Sequence, residues 1–525
     1  MATFTLDGKT VSAPDGMNLI EAAAANGVDI PHYCYHPGLS VAGNCRMCLC
    51  EVEGARGPQI ACSQVVRDGL VVKTDTALVE KMRKGVQEFL LLNHPIDCPI
   101  CDQAGECRLQ DYYMSYGQYD NRSDVTKVQK QKALDIGPLV VLDQERCILC
   151  TRCVRFTSEV SQSHELIVSG RGDTSVIETF PGMQLDNPYS GNVVDICPVG
   201  ALTSKDFRFK MRVWFMKSVK SVCTGCARGC NIFLDEKDAV VYRYRPRTNL
   251  AVNRYWICDD GRLSYRRIND NRLTSARLRG AAVSFRDVYD HLVGLLRAER
   301  AHGSVVLVAS PHSSLEDNFL LRRLDRRHGR SMLRAWDASA PATADNLLRC
   351  ADPTPNRAGL SLLDVEPSRA SLLAALAGPV QVAVLMQNNL AQDPEIAERL
   401  RQLPVVVYLG SHDDETAALA QVVIPVATHA EKFGSFVNVD GRVQRFYQAF
   451  EAPGDAISES TLLASLLHDL YQESRVDDVE EVWALMRQEV PELATLSWYG
   501  LGDEGVLLES TRVASSAMPN VASGV

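Results

Sequence analysis

The chain has 525 residues, of which 46% are apolar and 23% charged, and its formal net charge is -10. That length exceeds one compact core and predicts several domains, while the composition is that of a folded chain rather than a disordered one. The acidic balance argues against a nucleic-acid partner, which needs a basic face. The opening MATFTLDGKTVSAPDG has no basic segment followed by an apolar core, so no signal peptide is expected. The longest apolar runs, such as VAVLM, fall far short of the ~20 residues that span a bilayer, so membrane association is expected only through partners.

In chain order, TFTLDGKTVS (3–12) alternates apolar and polar residues about an Asp-Gly pair and predicts a β-hairpin. NLIEAAAANG (18–27) predicts a helix with Asn18 as N-cap and Gly27 closing it. A cysteine-rich loop and strand-like runs at MCLCEVEG and GLVVKTDT complete a small α+β unit. ALVEKMRKGVQEFLLLNHP (77–95) spaces Val79, Met82, Val86, Phe89 and Leu90 as one helical face. It should end near Asn93, because Pro95 disfavours helical geometry in the residue before it. A second small unit covers 138–202, and the basic-aromatic run KDFRFKMRVWFMKSVK leads to a last cysteine group at 223–258. Beyond it the texture becomes α/β: GSVVLVAS, VQVAVLMQNN and LPVVVYLGS read as buried strands separated by helical stretches. There is no fixed-period repeat, and no low-complexity block apart from a polar, small-residue tail.

Seventeen cysteines are present, and all but Cys350 fall within residues 34–258. Many thiols in tight C-x2-C pairs point to metal binding rather than to disulfides. The first group is Cys34, Cys45, Cys48 and Cys62, four thiols on a long loop and a return strand, which suits a [2Fe–2S] cluster. A Rieske site would need Cys-x2-His where Cys45-x2-Cys48 stands, and a four-cysteine zinc site is the other alternative. His32 and His36 read as bystanders, and Cys50 as a strand residue beside the site. The third group, Cys147, Cys150 and Cys153, lacks the local fourth cysteine of a bacterial ferredoxin run, whose place Thr157 takes. A remote Cys197-Pro198 is kept instead, so both changes fit one surviving [4Fe–4S] cluster. The fourth group is Cys223, Cys226, Cys230 and Cys258, again with spacing suited to a [4Fe–4S] cluster; a zinc ribbon is its alternative. In the second group, NHPIDCPICDQAGEC (93–107), Cys98, Cys101 and Cys107 leave one iron of a [4Fe–4S] cluster without a thiol. A lone histidine at a helix end ordinarily interacts with the last carbonyls. Here the incomplete triad makes His94 the expected fourth ligand. Cys350, within LLRCADPTP in a different domain, has no evident metal-site context.

This order of sites resembles the large iron–sulfur subunit, known as the G subunit, of bacterial NADH–quinone oxidoreductase, respiratory complex I. The segments that carry the resemblance are HYCYHPGLSVAGNCRMC, NHPIDCPICDQAGEC, RCILCTRCVRF, NVVDICPVGAL and VCTGCARGCNI, all within residues 1–260. QVVIPVATHAEKFGSFVNVDGRVQR (421–445) is similar to part of a molybdopterin-oxidoreductase fold. The implied architecture is multidomain, α+β then α/β. It comprises a β-grasp [2Fe–2S] domain (1–78), a one-histidine, three-cysteine [4Fe–4S] domain (79–118) and a single-cluster ferredoxin-like domain (138–210). A four-cysteine [4Fe–4S] domain of molybdopterin-oxidoreductase type (216–272) and a shortened, degenerate region of that fold without molybdopterin (273–525) follow.

The resemblance implies electron transfer from the flavin of an NADH-oxidising subunit, which has a small [2Fe–2S] partner of its own. Electrons would pass through the first, third and second clusters to a two-cluster ferredoxin-like subunit and the connecting subunits of the peripheral arm. In the complex this is coupled to quinone reduction and proton translocation. The implied location is the cytoplasmic side of the bacterial inner membrane, held by partner subunits. No G-x-G-x-x-G fingerprint occurs, so NADH binding by this chain is not expected. The competing readings are the iron–sulfur part of a soluble NAD-linked hydrogenase or formate dehydrogenase, and a zinc-stabilised scaffold.

Overall fold

The computed structural model describes residues 1–120, 122–299 and 304–509. The chain divides into two compact units, Met1–Met216 and Lys217–Val525, and each is described by itself. The end of the polar tail, 510–525, lies outside the described residues.

The first unit opens with the expected hairpin, β1 (Ala2–Leu6) and β2 (Lys9–Ala13), paired from Ala2↔Ala13 to Leu6↔Lys9. Its turn residues Asp7 and Gly8 both take positive φ, 50° and 78°, which matches the strand twist and explains the Asp-Gly pair. Helix α1 (Leu19–Ala25) is capped by the Asn18 side chain, which accepts from the Ile20 N–H at 2.9 Å. Strands β3 (Leu49–Val52), β4 (Gln59–Ile60) and β5 (Val71–Lys73) complete a sheet of order β2-β1-β5-β3-β4, in which β1 and β5 are parallel. Phe4, Leu6, Leu19, Ile20 and Val72 form its core together with Cys48, Cys50 and Cys62.

Helix α2 (Ala77–Asn93) ends where Pro95 requires, and His94 is already extended at φ -64°, ψ 127°. Its buried face departs from the apolar spacing, since Phe89 is 76% exposed while Arg83 and Gln87 are buried. Those polar groups are partly satisfied: Arg83 donates to the Tyr116 hydroxyl and the Leu49 carbonyl, both at 3.1 Å, and Gln87 accepts from the Tyr33 hydroxyl at 2.8 Å. Helix α3 (Arg108–Tyr116) starts immediately after Cys107. Further on, β6 (Leu134–Asp135), β7 (Val140–Leu142) and a later β10 form a three-stranded sheet. Between them lie α4 (Arg152–Arg155), which runs into a π-helical turn at Phe156–Val160, the hairpin β8 (Leu166–Ser169) and β9 (Val176–Thr179), and α5 (Asn192–Ile196). Strand β10 (Leu202–Ser204) follows Cys197 closely.

The second unit begins with an antiparallel sheet of β11 (Lys217–Val222), β12 (Asn231–Lys237) and β13 (Val240–Pro246). A seven-stranded sheet follows, built from β14 (Arg277–Leu278), β15 (Ala281–Ala282), β16 (Val305–Ala309), β17 (Met332–Ala335), β18 (Val382–Met386), β19 (Val405–Gly410) and β20 (Val422–Pro425). Its order is β15-β14-β20-β19-β18-β16-β17, with β16 to β20 mutually parallel. Strands β16, β18 and β19 are the three buried runs expected from the sequence. Alternate residues of β16 enter opposite cores, Val305 and Leu307 one, Val306 and Val308 the other, as a sheet covered on both faces requires. Strands β21 (Gly434–Val437), β22 (Arg442–Phe446) and β23 (Val506–Leu507) form a last antiparallel sheet. Among the described residues no helix is long and apolar enough to cross a membrane.

Candidate metal centres

All four predicted ligand groups assemble in space. In the first, Cys34 and Cys45 lie on the loop between α1 and β3, Cys48 immediately precedes β3, and Cys62 follows β4. Their thiols form one connected chain of contacts, Cys45–Cys34–Cys62–Cys48. Arg46 takes φ 59°, and this left-handed residue lets the Met47 N–H turn back to the Cys45 sulfur. Cys50 is buried in β3 with its thiol directed to the Gln59 carbonyl at 3.6 Å. His32 Nδ1 pairs with the Ile30 carbonyl at 2.8 Å, and His36 Nδ1 accepts from the Gly38 N–H at 3.1 Å.

The second group surrounds a cavity of about 740 Å³ whose lining includes His94, Cys98, Cys101, Cys107 and Arg146. Two of the last carbonyls a helix-end histidine would serve are already occupied, since Lys127 Nζ donates to Leu91 and Leu92 at 2.7 and 2.9 Å. His94 Nδ1 is buried with no hydrogen-bond partner, a costly state for a polar atom unless something else binds it. Burial, with Arg146 and Lys127 nearby, lowers the imidazole to about 4. The ring is therefore neutral near pH 7, the form that ligates iron.

The third group, Cys147, Cys150, Cys153 and Cys197, lines one small cavity. Leu149 and Thr151 take φ 52° and 60°, strain of the kind that clusters at functional sites. The Leu149 N–H reaches the Cys147 sulfur at 3.4 Å, and the Arg152 N–H serves Cys150 in the same way. Thr157, at the place of the missing local cysteine, is buried in the π-helical turn and donates its hydroxyl to the Val154 carbonyl at 3.0 Å.

In the fourth group the Cys223 N–H donates to the Cys230 carbonyl at 2.8 Å and closes the loop between β11 and β12. Cys258 caps helix α6 (Asp259–Leu263), its sulfur accepting from the Gly261 N–H at 3.3 Å. Gly261 packs so closely that a Cβ there would stand 3.0 Å from the Cys223 sulfur and 3.2 Å from the Cys258 sulfur. Cys350 departs from its expected isolation: its buried thiol touches that of Cys226. The contact joins residues far apart in sequence, and no local spacing signals it.

Burial pushes Cys107 to about 11 and Cys147, Cys197 and Cys258 to about 12. Burial thus disfavours the thiolate form of these four sulfurs, and a cationic metal group bound there would supply the missing charge. The orphaned His94 nitrogen, the cavities and the N–H groups aimed at sulfur fit iron–sulfur groups. Among the described residues no three His, Cys, Asp or Glu side chains converge closely enough to chelate one bare metal ion.

Five stretches match known families in the same order as the sites. Residues 1–77 match a 2Fe-2S iron-sulfur cluster binding domain, and residues 83–122 the NADH-ubiquinone oxidoreductase-G iron-sulfur binding region. Residues 137–203 match the ferredoxin-like domain of NADH-quinone oxidoreductase subunit 3. Residues 216–270 match the molybdopterin oxidoreductase Fe4S4 domain, and 356–468 molybdopterin oxidoreductase. The G subunit of NADH-quinone oxidoreductase from Rickettsia conorii is 39% identical over 63% of this chain and 49% of its own length. Over these residues the chain is similar to the G-subunit family.

Its mitochondrial relatives are also similar. NADH dehydrogenase [ubiquinone] iron-sulfur protein 1 of Solanum tuberosum is 44% identical over 62% of this chain and 44% of that protein. The 78 kDa subunit of Neurospora crassa NADH-ubiquinone oxidoreductase is 47% identical over 52% of this chain and 37% of that protein. The chain thus spans about half the length, or less, of these relatives. A solved NAD+-reducing [NiFe]-hydrogenase structure shares 32% identity over 40% of this chain and 91% of its own, with a TM-score of 0.37 too low to bear on the fold.

Proposed function

We propose that the chain is an electron-transfer subunit of a proton-translocating NADH:quinone oxidoreductase. It relays electrons from a flavin-containing, NADH-oxidising partner toward the quinone-reducing part of the complex. In this reading Cys34, Cys45, Cys48 and Cys62 hold one [2Fe–2S] cluster. His94/Cys98/Cys101/Cys107, Cys147/Cys150/Cys153/Cys197 and Cys223/Cys226/Cys230/Cys258 hold three [4Fe–4S] clusters. When bound, these groups supply one-electron carriers with potentials set by ligand charge and hydrogen bonding. The chain's own contribution is to hold the ligands, bury them and aim backbone N–H groups at the sulfurs.

The observation that carries the reading is the continuity of the first, third and second sites within residues 1–216. Arg155 Nη2 donates to the carbonyl of Cys34 at 2.5 Å and to that of Cys150 at 3.3 Å. Arg152, buried beside it, donates to the Ile196 carbonyl at 3.0 Å and also to the Tyr35 carbonyl. Each residue thus ties the first ligand loop to the third and places a positive charge between two sets of thiolates. Gly200, three residues after Cys197, lies so near Cys101 that a Cβ would come within 2.2 Å of its sulfur. A relay needs such close succession, whereas independent structural zinc sites do not. The order from first to third to second, peripheral attachment on the cytoplasmic side, and docking to a flavin subunit and a two-cluster ferredoxin-like subunit belong to the same proposal.

The test is metal and labile-sulfide analysis of anaerobically purified protein, followed by low-temperature EPR during a redox titration. The expected result is iron and sulfide in equal amounts, with one [2Fe–2S] and three [4Fe–4S] signals. Zinc without sulfide overturns the proposal.

A further inference from the structure

We infer that Cys350 belongs to the fourth site, as a protonated thiol that donates a hydrogen bond to the ligand sulfur of Cys226. This rests on the cluster reading proposed above and adds a fifth thiol to a site that spacing alone limits to four. The two sulfurs are in hydrogen-bond contact. Cys226 is only partly buried, whereas Cys223, Cys230 and Cys258 are buried. Cys350 therefore covers the ligand with the least cover of its own, and is itself only 5% exposed.

The contact is held in place by a built loop. Asp345 accepts from the N–H groups of Leu347, Leu348 and Arg349 at 2.8 to 3.1 Å, which fixes the turn leading to Cys350. Three ties then join this loop to the cluster segments on both sides. The Ala227 N–H donates to the Asp352 carbonyl at 2.9 Å, Arg228 Nε to the Leu348 carbonyl at 3.4 Å, and Arg349 pairs with Asp260 at 2.9 Å. These partners stand within two residues of Cys350 on either side, so its thiol has little freedom to leave.

Chemistry decides the direction of the bond. An iron-bound cysteine is a thiolate and has no proton, so the hydrogen lies on Cys350. The competing acceptor is the Leu348 carbonyl at 3.8 Å; it is neutral and already accepts from Arg228, whereas a thiolate is the stronger acceptor. A hydrogen bond to a cluster sulfur stabilises the more negative, reduced state and so raises the potential. Cys350 is thus a positioning residue that tunes one cluster without ligating it.

The experiment is an EPR redox titration of the full-length protein, with the fourth signal identified by its loss in Cys230→Ala. Cys350→Ala is expected to lower the potential of that signal and leave the other three unchanged. Cys350→Ser, whose hydroxyl still donates, is expected to fall between Cys350→Ala and the parent. An unshifted signal in Cys350→Ala overturns the inference. So does loss of the signal together with its iron, which would make Cys350 a holder of the cluster rather than a donor to it. If Cys230→Ala removes no signal, the cluster reading itself fails and Cys350 is not what was at fault.

Discussion

His94 shows how one residue becomes legible through a deficit elsewhere. Three cysteines cannot complete a four-iron site, and only the count of thiols along the whole chain singles out the neighbouring imidazole. The structure adds an independent sign, a buried Nδ1 without a partner, while Lys127 takes the helix-end carbonyls of Leu91 and Leu92. Replacing a thiolate by neutral imidazole removes one negative charge, the change that raises the potential of Rieske centres. His94→Cys is therefore expected to keep a [4Fe–4S] cluster while shifting its potential downward, read by EPR titration against the other signals. An unchanged titration counts against ligation by His94. Cys350 is the opposite case. Its partner lies on a loop more than a hundred positions earlier, and neither periodicity nor C-x2-C spacing carries information about such a contact.

At the scale of elements, the hairpin, α1, the end of α2 and the three buried parallel strands were readable, because turn chemistry, capping and proline act locally. The buried face of α2 was not. Arg83 and Gln87 lie inside against Tyr116, Leu49 and Tyr33, which bond part of their polar groups, and those partners come from elsewhere in the fold. In the short link from α5 to β10, Cys197-Pro198-Val199-Gly200, spacing points to Cys197 but does not reveal the part of Gly200. It carries Cys197 of the third group and, through Gly200, lines the cavity of the second. No positive φ demands glycine there; the demand is space, since a Cβ would sit 2.2 Å from the Cys101 sulfur. Gly200→Ala is expected to displace Cys101 and selectively reduce the occupancy of the His94/Cys98/Cys101/Cys107 cluster. Iron analysis with EPR should then show that signal diminished while the Cys147-group signal persists. Equal loss of both would mean that the whole link had shifted.

For the molecule as a whole, the α+β then α/β organisation followed from where the cysteines stop and the buried strands begin. Composition hides a charge cluster inside the second unit. Lys432 is buried between Asp317, 2.7 Å away, and Glu459. Burial raises Glu459 to about 7, while Lys432 and the hydroxyls of Ser314 and Ser460 hold Asp317 below its ordinary range. Such a group adds little to net stability compared with an apolar core, but removing one partner from it is costly. Lys432→Met leaves two carboxyls without their cation and is expected to destabilise the second unit by ~3–5 kcal/mol. The loss should grow with pH. The unfolded chain releases the Glu459 proton near the ordinary 4.5 whereas the folded parent retains it to about 7 even with Lys432 holding it down; without that cation the folded chain holds the proton more tightly still, so the unfolded state binds fewer protons and the variant's stability falls further as pH rises. Thermal unfolding of the variant at two pH values checks both the size and the sign. Adding Asp317→Asn and Glu459→Gln should recover much of the loss, because the penalty comes from stranded charge and not from the missing lysine stem. A triple variant no more stable than Lys432→Met alone would place the effect in packing instead.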